Sequence, residues 1–321
     1  MIMNKNIFTT FLTTTLAVGL SLMSASEAEA IVFGVKSRFI DSSSQAQNSY
    51  PGAAPANLFS FNENGGGFTN YGQLRLNGAG ISVDGLAISA NDGLFGFASN
   101  TSGSTLISIT PGQSAVTAIG PRLNGRIIKG AVFQGDILWA IDAQQNELLR
   151  IDQNTGSILE NKELILNGSP VNIANSSDIA IDNGGTFYYS VNRNTNYTFN
   201  VNTGEVLDNY IIINSSGFAN NNNNFAGLTF SDNAGEDIAF IAEANSSDDI
   251  RIANLTTSTQ TALFNNIYSG YNAGPMDLAA VVTVTQPVPE PLTILGSLTA
   301  LGFGTLFKRE ISKKKNLKQD L

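Results

Sequence analysis

Of its 321 residues, none is cysteine and none is histidine. The first absence removes thiolate chemistry, cysteine metal sites and disulfides, and the second removes imidazole bases and histidine ligands. Stability must then come from packing and strand pairing, which a chain long enough to bury a sizeable core supplies without covalent staples. Tryptophan occurs once, at position 139, within an apolar stretch that reads as core. Cations are also scarce: between Ile31 and Thr285 stand 21 acidic and 10 basic residues, a net charge of −11. Such a surface repels nucleic acid and suits solubility outside the cell. No stretch of the body carries a helical period, so the expected class is all-β.

What is present begins with the two ends. Lys5, a thinly apolar run from Ile7 to Met23 and the small-residue site Ala28-Glu29-Ala30 follow secretory signal grammar, with a signal helix in residues 1–30 and cleavage after Ala30 by signal peptidase. At the other end a Pro-rich linker, residues 286–291, contains Pro289-Glu290-Pro291. An apolar run, residues 292–307, and a basic tail, residues 308–321, follow it. Sixteen helical residues reach roughly 24 Å, slightly short of a hydrocarbon core of ~30 Å, so flanking residues must help the run to span. The basic cluster of the tail holds its end on the cytoplasmic side.

This tripartite tail resembles the PEP-CTERM sorting signal of exported bacterial proteins. The resemblance implies that Pro289, Glu290 and Pro291 form a recognition motif for a membrane exosortase, and that the protein is sorted to the envelope, surface or exterior. The tail here extends further, through Asn316 to Leu321, than that pattern usually does.

The body, residues 31–285, repeats one pattern of four short strands. Taking the innermost strand of each unit, the starts fall at Gly85 (GLAI), Gly130 (GAVF), Asp178 (DIAI), Gly227 (GLTF) and Asp277 (DLAA), spaced 45, 48, 49 and 50 residues apart. That period belongs to β-propeller blades. Second strands follow in phase, rich in aromatic and β-branched residues, as in ILWAID and TFYYSV. Third strands run into turns, two of which share an Asx-x-Asn-Thr-Gly sequence at Asp152–Gly156 and Asn200–Gly204. The fifth unit has only its innermost strand, while three strands wait near the N-terminus at Ile31, Asn57 and Asn70. Pairing the two ends would complete five blades and remove exposed sheet edges. Residues 38–56 read as a long loop inside that composite blade. The repeated motifs resemble the broad NHL and YVTN propeller superfamily, which implies a propeller body and mostly binding or scaffolding roles, with some enzymes.

In such a ring the crossovers from the outermost strand of one blade to the innermost of the next gather at the channel mouth. Here they hold Asp84, Arg126, Lys129, Asp178, Tyr268, Tyr271 and Asp277, whose carboxylates, cations and phenol rings suit hydroxyl bonding and ring stacking with a polysaccharide. The bland alternative is that Asp178 and Asp277 cap blade-to-blade turns. No cofactor or metal is expected: Asp232–Asp237 and Ser246–Asp249 depart from calcium-loop spacing and read as solvated turns. The expected function is that of an exported, non-enzymatic propeller of the extracellular matrix or envelope that binds polysaccharide. Two alternatives stay open: a carboxylate-dependent glycosidase, which needs only paired acids, and a protein–protein scaffold, which needs an exposed apolar patch at the mouth.

Overall fold

The computed structural model describes residues 31–38, 54–91, 93–171, 178–192, 195–210, 225–231, 238–243, 250–254, 259–264 and 276–281. Among them there is no helix, and five antiparallel sheets form the expected five blades. The innermost strands are β6 (Ser82–Ile88), β11 (Ile128–Gln134), β17 (Asp178–Ile181), β21 (Phe225–Ser231) and β25 (Met276–Ala280). Each packs against the next, and β25 packs against β6, so the ring is closed.

The closing blade is shared between the termini, in the order β25, β1 (Ile31–Arg38), β2 (Ala54–Asn62), β3 (Thr69–Gln73). Antiparallel pairing of Val32 with Ala280, Gly34 with Leu278 and Lys36 with Met276 joins the first strand to the last. The first strand therefore has a partner on each side, β25 and β2, and is not an exposed edge.

Burial follows position in the blade. Every residue of β6 is buried, because both faces of an inner strand meet a neighbouring blade. The outermost strand of the second blade, β14 (Ile158–Glu163), instead alternates half-buried and exposed residues. Between blades lie separate apolar clusters. One sets Trp139 and Ile141 against Ile179, Phe187 and Tyr189, so the lone tryptophan is core as expected, with the Lys162 ammonium 5.6 Å from its ring centre. Large side chains buried this way each contribute roughly 1.5–3 kcal/mol.

The repeated Asx-x-Asn-Thr-Gly turns are inter-blade fasteners. The Asp152 carboxylate accepts a 2.8 Å bond from the Asn154 amide, and Asn200 does the same for Asn202 at 2.9 Å. The closing glycines, Gly156 and Gly204, have φ of 68° and 75°. A Cβ on either would sit 2.3 Å from a carbonyl oxygen of the preceding blade's outer edge, that of Ile119 or of Glu163. Glycine is needed there twice over, for its dihedral and for the close approach.

Two crossovers read as plain loops contain hairpins. Arg75–Leu76 (β4) pairs with Ala79–Gly80 (β5), and Ile165–Leu166 (β15) pairs with Ser169–Pro170 (β16). Each turns on an Asn-Gly pair with both φ positive, Asn77-Gly78 and Asn167-Gly168, the dihedral signature of a type I′ turn. The outer strand of the first blade is broken into Thr117–Ala118 (β9) and Leu123–Asn124 (β10). The break falls at Gly120, with φ of 69°, and at Pro121, which has no amide to donate. The expected signal peptide, Pro-Glu-Pro linker, membrane run and tail lie outside the described residues. Among those residues, no helix is long and apolar enough to cross a membrane.

Candidate functional site at the mouth of the axial channel

The five inner strands enter the ring from one end, so residues at their starts converge there. In phase, Gly85, Gly130, Asp178, Gly227 and Asp277 occupy one level of the ring. Asp84 and Lys129 occupy the level before it.

Asp178 and Asp277 are 1% and 5% exposed. Each spans a seam. Asp178 accepts from its own strand through Ile179 N at 2.7 Å and from the next blade through Leu228 N at 2.6 Å. Asp277 repeats this with Leu278 N at 2.8 Å and Leu86 N at 2.6 Å. In both cases the next blade offers glycine at the same level. On the other side, Gly130 lies so close to Asp178 that a Cβ would fall 2.5 Å from its Oδ1. A ring of five cannot alternate glycine and aspartate perfectly, and the mismatch leaves Gly85 and Gly130 adjacent. At that seam the ion pair of Asp84 and Lys129 stands instead, Nζ to Oδ2 at 3.4 Å, with both side chains buried.

Lys129 reaches the pair from a β-bulge. Pairing of β11 with β12 (Ile137–Asp142) steps from Ile128 to Gly130, leaving Lys129 as the extra residue. A bulge of this kind re-aims a side chain, here toward the axis.

Burial dominates the electrostatics. It pushes the Asp84 carboxyl above its ordinary range, opposed by the Lys129 charge and by hydrogen bonds from Lys129 and Ser99. Burial also raises Asp178 strongly, with the Asp277 charge adding to it, and raises Asp277, where the Asp84 charge adds to it. The Asp178 and Asp277 carboxyls lie within hydrogen-bonding reach of one another. Two buried carboxyls so placed cannot both ionise cheaply. Below the charged level the channel narrows to a cavity of about 20 Å³ lined largely by apolar residues such as Leu86, Ala131, Ile179 and Ala280.

Four of the seven expected ligand residues are thus brought together: Asp84, Lys129, Asp178 and Asp277. Arg126 turns elsewhere. Its guanidinium binds Asp142 at 3.0 Å and Glu147 at 2.5 Å, clamping the crossover to the turn between β12 and β13 (Glu147–Ile151). Tyr268 and Tyr271 lie outside the described residues, as do both calcium-like turns apart from the ends of their flanking strands. Among the described residues no three acidic side chains group as a metal site. Unforeseen were Ser99 and Ser104, which back Asp84. Their signal in the sequence is slight: two hydroxyls flanking a Gly turn at Ser99-Asn100-Thr101-Ser102-Gly103-Ser104.

No protein-family model and no curated protein sequence matches the chain. Among solved structures it is similar to the glutaminyl cyclase of Myxococcus xanthus, at 15% identity and a TM-score of 0.43, over 62% of this chain and 83% of that one. It is also similar to virginiamycin B lyase from Staphylococcus aureus, at 16% identity and a TM-score of 0.37, over 64% and 62% of the two chains. These are likenesses of fold. They do correct one expectation: both similar structures are enzymes by name, so a body of this shape is no mark of a non-enzyme, and the inference from absent cysteine and histidine fails because carboxyls alone can run acid–base chemistry.

Proposed function

We propose that this chain is an exported propeller that acts on extracellular polysaccharide at its channel mouth by carboxyl acid–base chemistry. The supporting observation is the buried set Asp84, Lys129, Asp178 and Asp277 gathered at the starts of the inner strands. Asp84 is the acid–base group. Unlike its two counterparts, whose oxygens accept from backbone amides, it is paired with a cationic side chain, Lys129, which favours the carboxylate when its proton leaves. The Asp178–Asp277 pair supplies the second carboxyl function while fastening the ring. Glycoside hydrolysis needs two such functions on either side of the scissile bond. Asp178 and Asp277 are too close to one another to flank a sugar ring by themselves, which is why Asp84 is assigned the separate role. Tyr268 and Tyr271, just before β25, are the candidate stacking residues.

Export through the signal peptide, and sorting by an exosortase at Pro289-Glu290-Pro291, would place this mouth outside the cell. A protein–protein scaffold would call for an apolar patch at the mouth, and the described mouth is polar.

The test is turnover of chromogenic glycosides and matrix polysaccharides by the full chain, with the Asp84→Asn variant alongside. Turnover lost in Asp84→Asn while the variant remains folded at the assay temperature, as its circular dichroism shows, supports the assignment. Full turnover in that variant, or none by the wild type on any substrate, overturns it. Mass spectrometry of the two ends of the mature protein tests export and sorting separately.

A further inference from the structure

The flank of the second blade carries a charged cluster that the channel mouth does not use. Val132 stands opposite Trp139, Trp139 opposite Arg150, and Arg150 opposite Glu160, so the four form one row across β11 to β14. Residues directly opposite in antiparallel strands share a face. Here it is the face that meets the third blade, where Phe187 presents its edge to Trp139. Lys162, two residues beyond Glu160, lies on the same face. Its ammonium reaches the Val201 carbonyl of the third blade at 3.2 Å and stands 5.6 Å from the centre of the Trp139 ring.

One carboxylate serves two cations. Glu160 Oε1 accepts from Lys162 Nζ at 2.8 Å, and Glu160 Oε2 stands 3.5 Å from Arg150 Nε, an ion pair too long for a good hydrogen bond. Both carboxylate oxygens are thus committed, and two donors remain. Among the described residues the Trp139 Nε1–H and the Arg150 Nε–H find no hydrogen-bond acceptor, although both nitrogens are enclosed and Trp139 as a whole is 4% exposed. An enclosed donor left without an acceptor is costly, so a group that supplied one would be held. Charge points the same way, since the cluster is cationic on a body that is strongly acidic. The heads of Glu160 and Lys162, on the outermost strand, are 37% and 20% exposed, so they can swing into water without moving backbone.

We propose that Arg150, Lys162 and the Trp139 indole form a subsite for a tetrahedral oxyanion, sulfate or phosphate, free or as an ester on a polymer, and that Glu160 is the internal anion it displaces. A carboxylate commits its two oxygens to Lys162 and Arg150. A tetrahedral group brings a further oxygen, which the indole N–H takes up. A carboxylate ligand would only repeat what Glu160 already does, so the class is tetrahedral. The planar guanidinium fork and the compact ammonium are both suited to such anions. This subsite lies on the flank of a blade and does not rest on the role given to Asp84.

The experiment reads the fluorescence of Trp139, the single tryptophan of the chain, while the full chain is titrated with sodium sulfate against sodium chloride of equal ionic strength. Sulfate is expected to shift the emission saturably and chloride is not. Glu160→Gln, which gives up the competing charge, should bind sulfate up to about fivefold more tightly, the scale of a partly exposed ion pair. Arg150→Met should bind it about tenfold more weakly or worse, the scale of a charge-assisted hydrogen bond. Arg150→Lys, which keeps the charge and loses the fork, should fall between, and it replaces Arg150→Met if circular dichroism shows that variant unfolded. Dextran sulfate and dextran form a second arm. Saturation at a lower sulfate concentration with dextran sulfate, and none with dextran, supports a polymer-borne ester, whereas saturation with free sulfate alone supports the free ion. A sulfate response no different from that of chloride would mean that water alone serves the two N–H groups and would overturn the subsite, as would equal affinity in the wild type and the Arg150 variants.

Discussion

Asp178 and Asp277 make the same pair of bonds: each carboxyl accepts from the amide that follows it in its own strand and, at 2.6 Å, from an amide of the following blade, Leu228 N for Asp178 and Leu86 N for Asp277. One pair of side chains thus touches the seams between the third and fourth blades and between the fifth and first. The bland expectation that these aspartates cap blade-to-blade turns and the functional expectation that they converge on the channel describe the same two groups.

Stability should therefore fall as pH rises. The folded pair holds its proton to higher pH than the unfolded chain does: burial carries Asp277 from 3.8 to about 7, and Asp178 moves in the same direction. Between those values the folded state binds more protons, so the contribution is fully present below about pH 4 and is lost as pH climbs through neutrality. The loss should be on the order of a few kcal/mol, since a tenfold change in proton affinity between the folded and unfolded chain is worth about 1.4 kcal/mol. Urea midpoints measured from pH 4 to 8 should decline. In Asp178→Asn, which carries no titrating group there although it gives up one of the two backbone bonds, the midpoint should start lower and the decline should flatten. A midpoint that rises over this range would refute the raised acids.

Gly130→Ala should be costly although the residue has no unusual dihedral. The new methyl would meet Asp178 Oδ1 at 2.5 Å and Ile179 N at 2.6 Å, and backbone cannot move aside cheaply in a closed ring. Overpacking of this kind costs about 1–3 kcal/mol. Gly112→Ala separates crowding from dihedral strain. That glycine has φ of 84° and open space around it, so its variant should lose only the roughly 1–2 kcal/mol of a left-handed residue. Unfolding of both variants in denaturant gives the comparison, and a Gly130→Ala protein as stable as wild type would remove the close seam.

The blades were legible because a period of 45 to 50 residues survives in the inner strands, and the ring closure followed from the strands left over at each end. The convergence of Asp84, Lys129, Asp178 and Asp277 was legible for the same reason, since phase in a repeat is position in space. The role of Arg126 was not, because its partners Asp142 and Glu147 come from a turn that no spacing links to it. The hairpins at Asn77-Gly78 and Asn167-Gly168 do have a signal, Leu-Asn-Gly, which occurs in phase at 76, 123 and 166. That signal is ambiguous, because the copy at 123 does not form the same hairpin: there Leu123 and Asn124 pair back onto Ser104 and Gly103.

Gly34→Ala should weaken the join between the ends. Gly34 lies in β1 opposite Leu278 on one side and Phe59 on the other, and a Cβ would enter the Phe59 ring, 2.2 Å from its Cζ. Phe59 is fully buried among aromatic neighbours, so it has nowhere to turn. Hydrogen exchange should show faster opening of β1 and β25 before the other blades, and uniform opening across all five would argue against a special weakness at the join.

Asp142 and Arg126 should be unequal partners. Asp142 is wholly buried, and its Oδ1 accepts from the amides of Ile127 at 3.0 Å and Gln144 at 2.9 Å. Removing it in Asp142→Ala strands those donors and leaves Arg126 only its bond to Glu147, a loss of about 2–3 kcal/mol. Arg126 retains 22% exposure, so water partly replaces it, and Arg126→Ala should cost about 1 kcal/mol. The two amides still donate to the Asp142 carboxylate in that variant, which is why the smaller figure applies even though a buried carboxylate loses its ion pair. Equal losses in the two variants, measured by denaturant unfolding, would mean that the Arg126 charge and not the amide cage holds this crossover down.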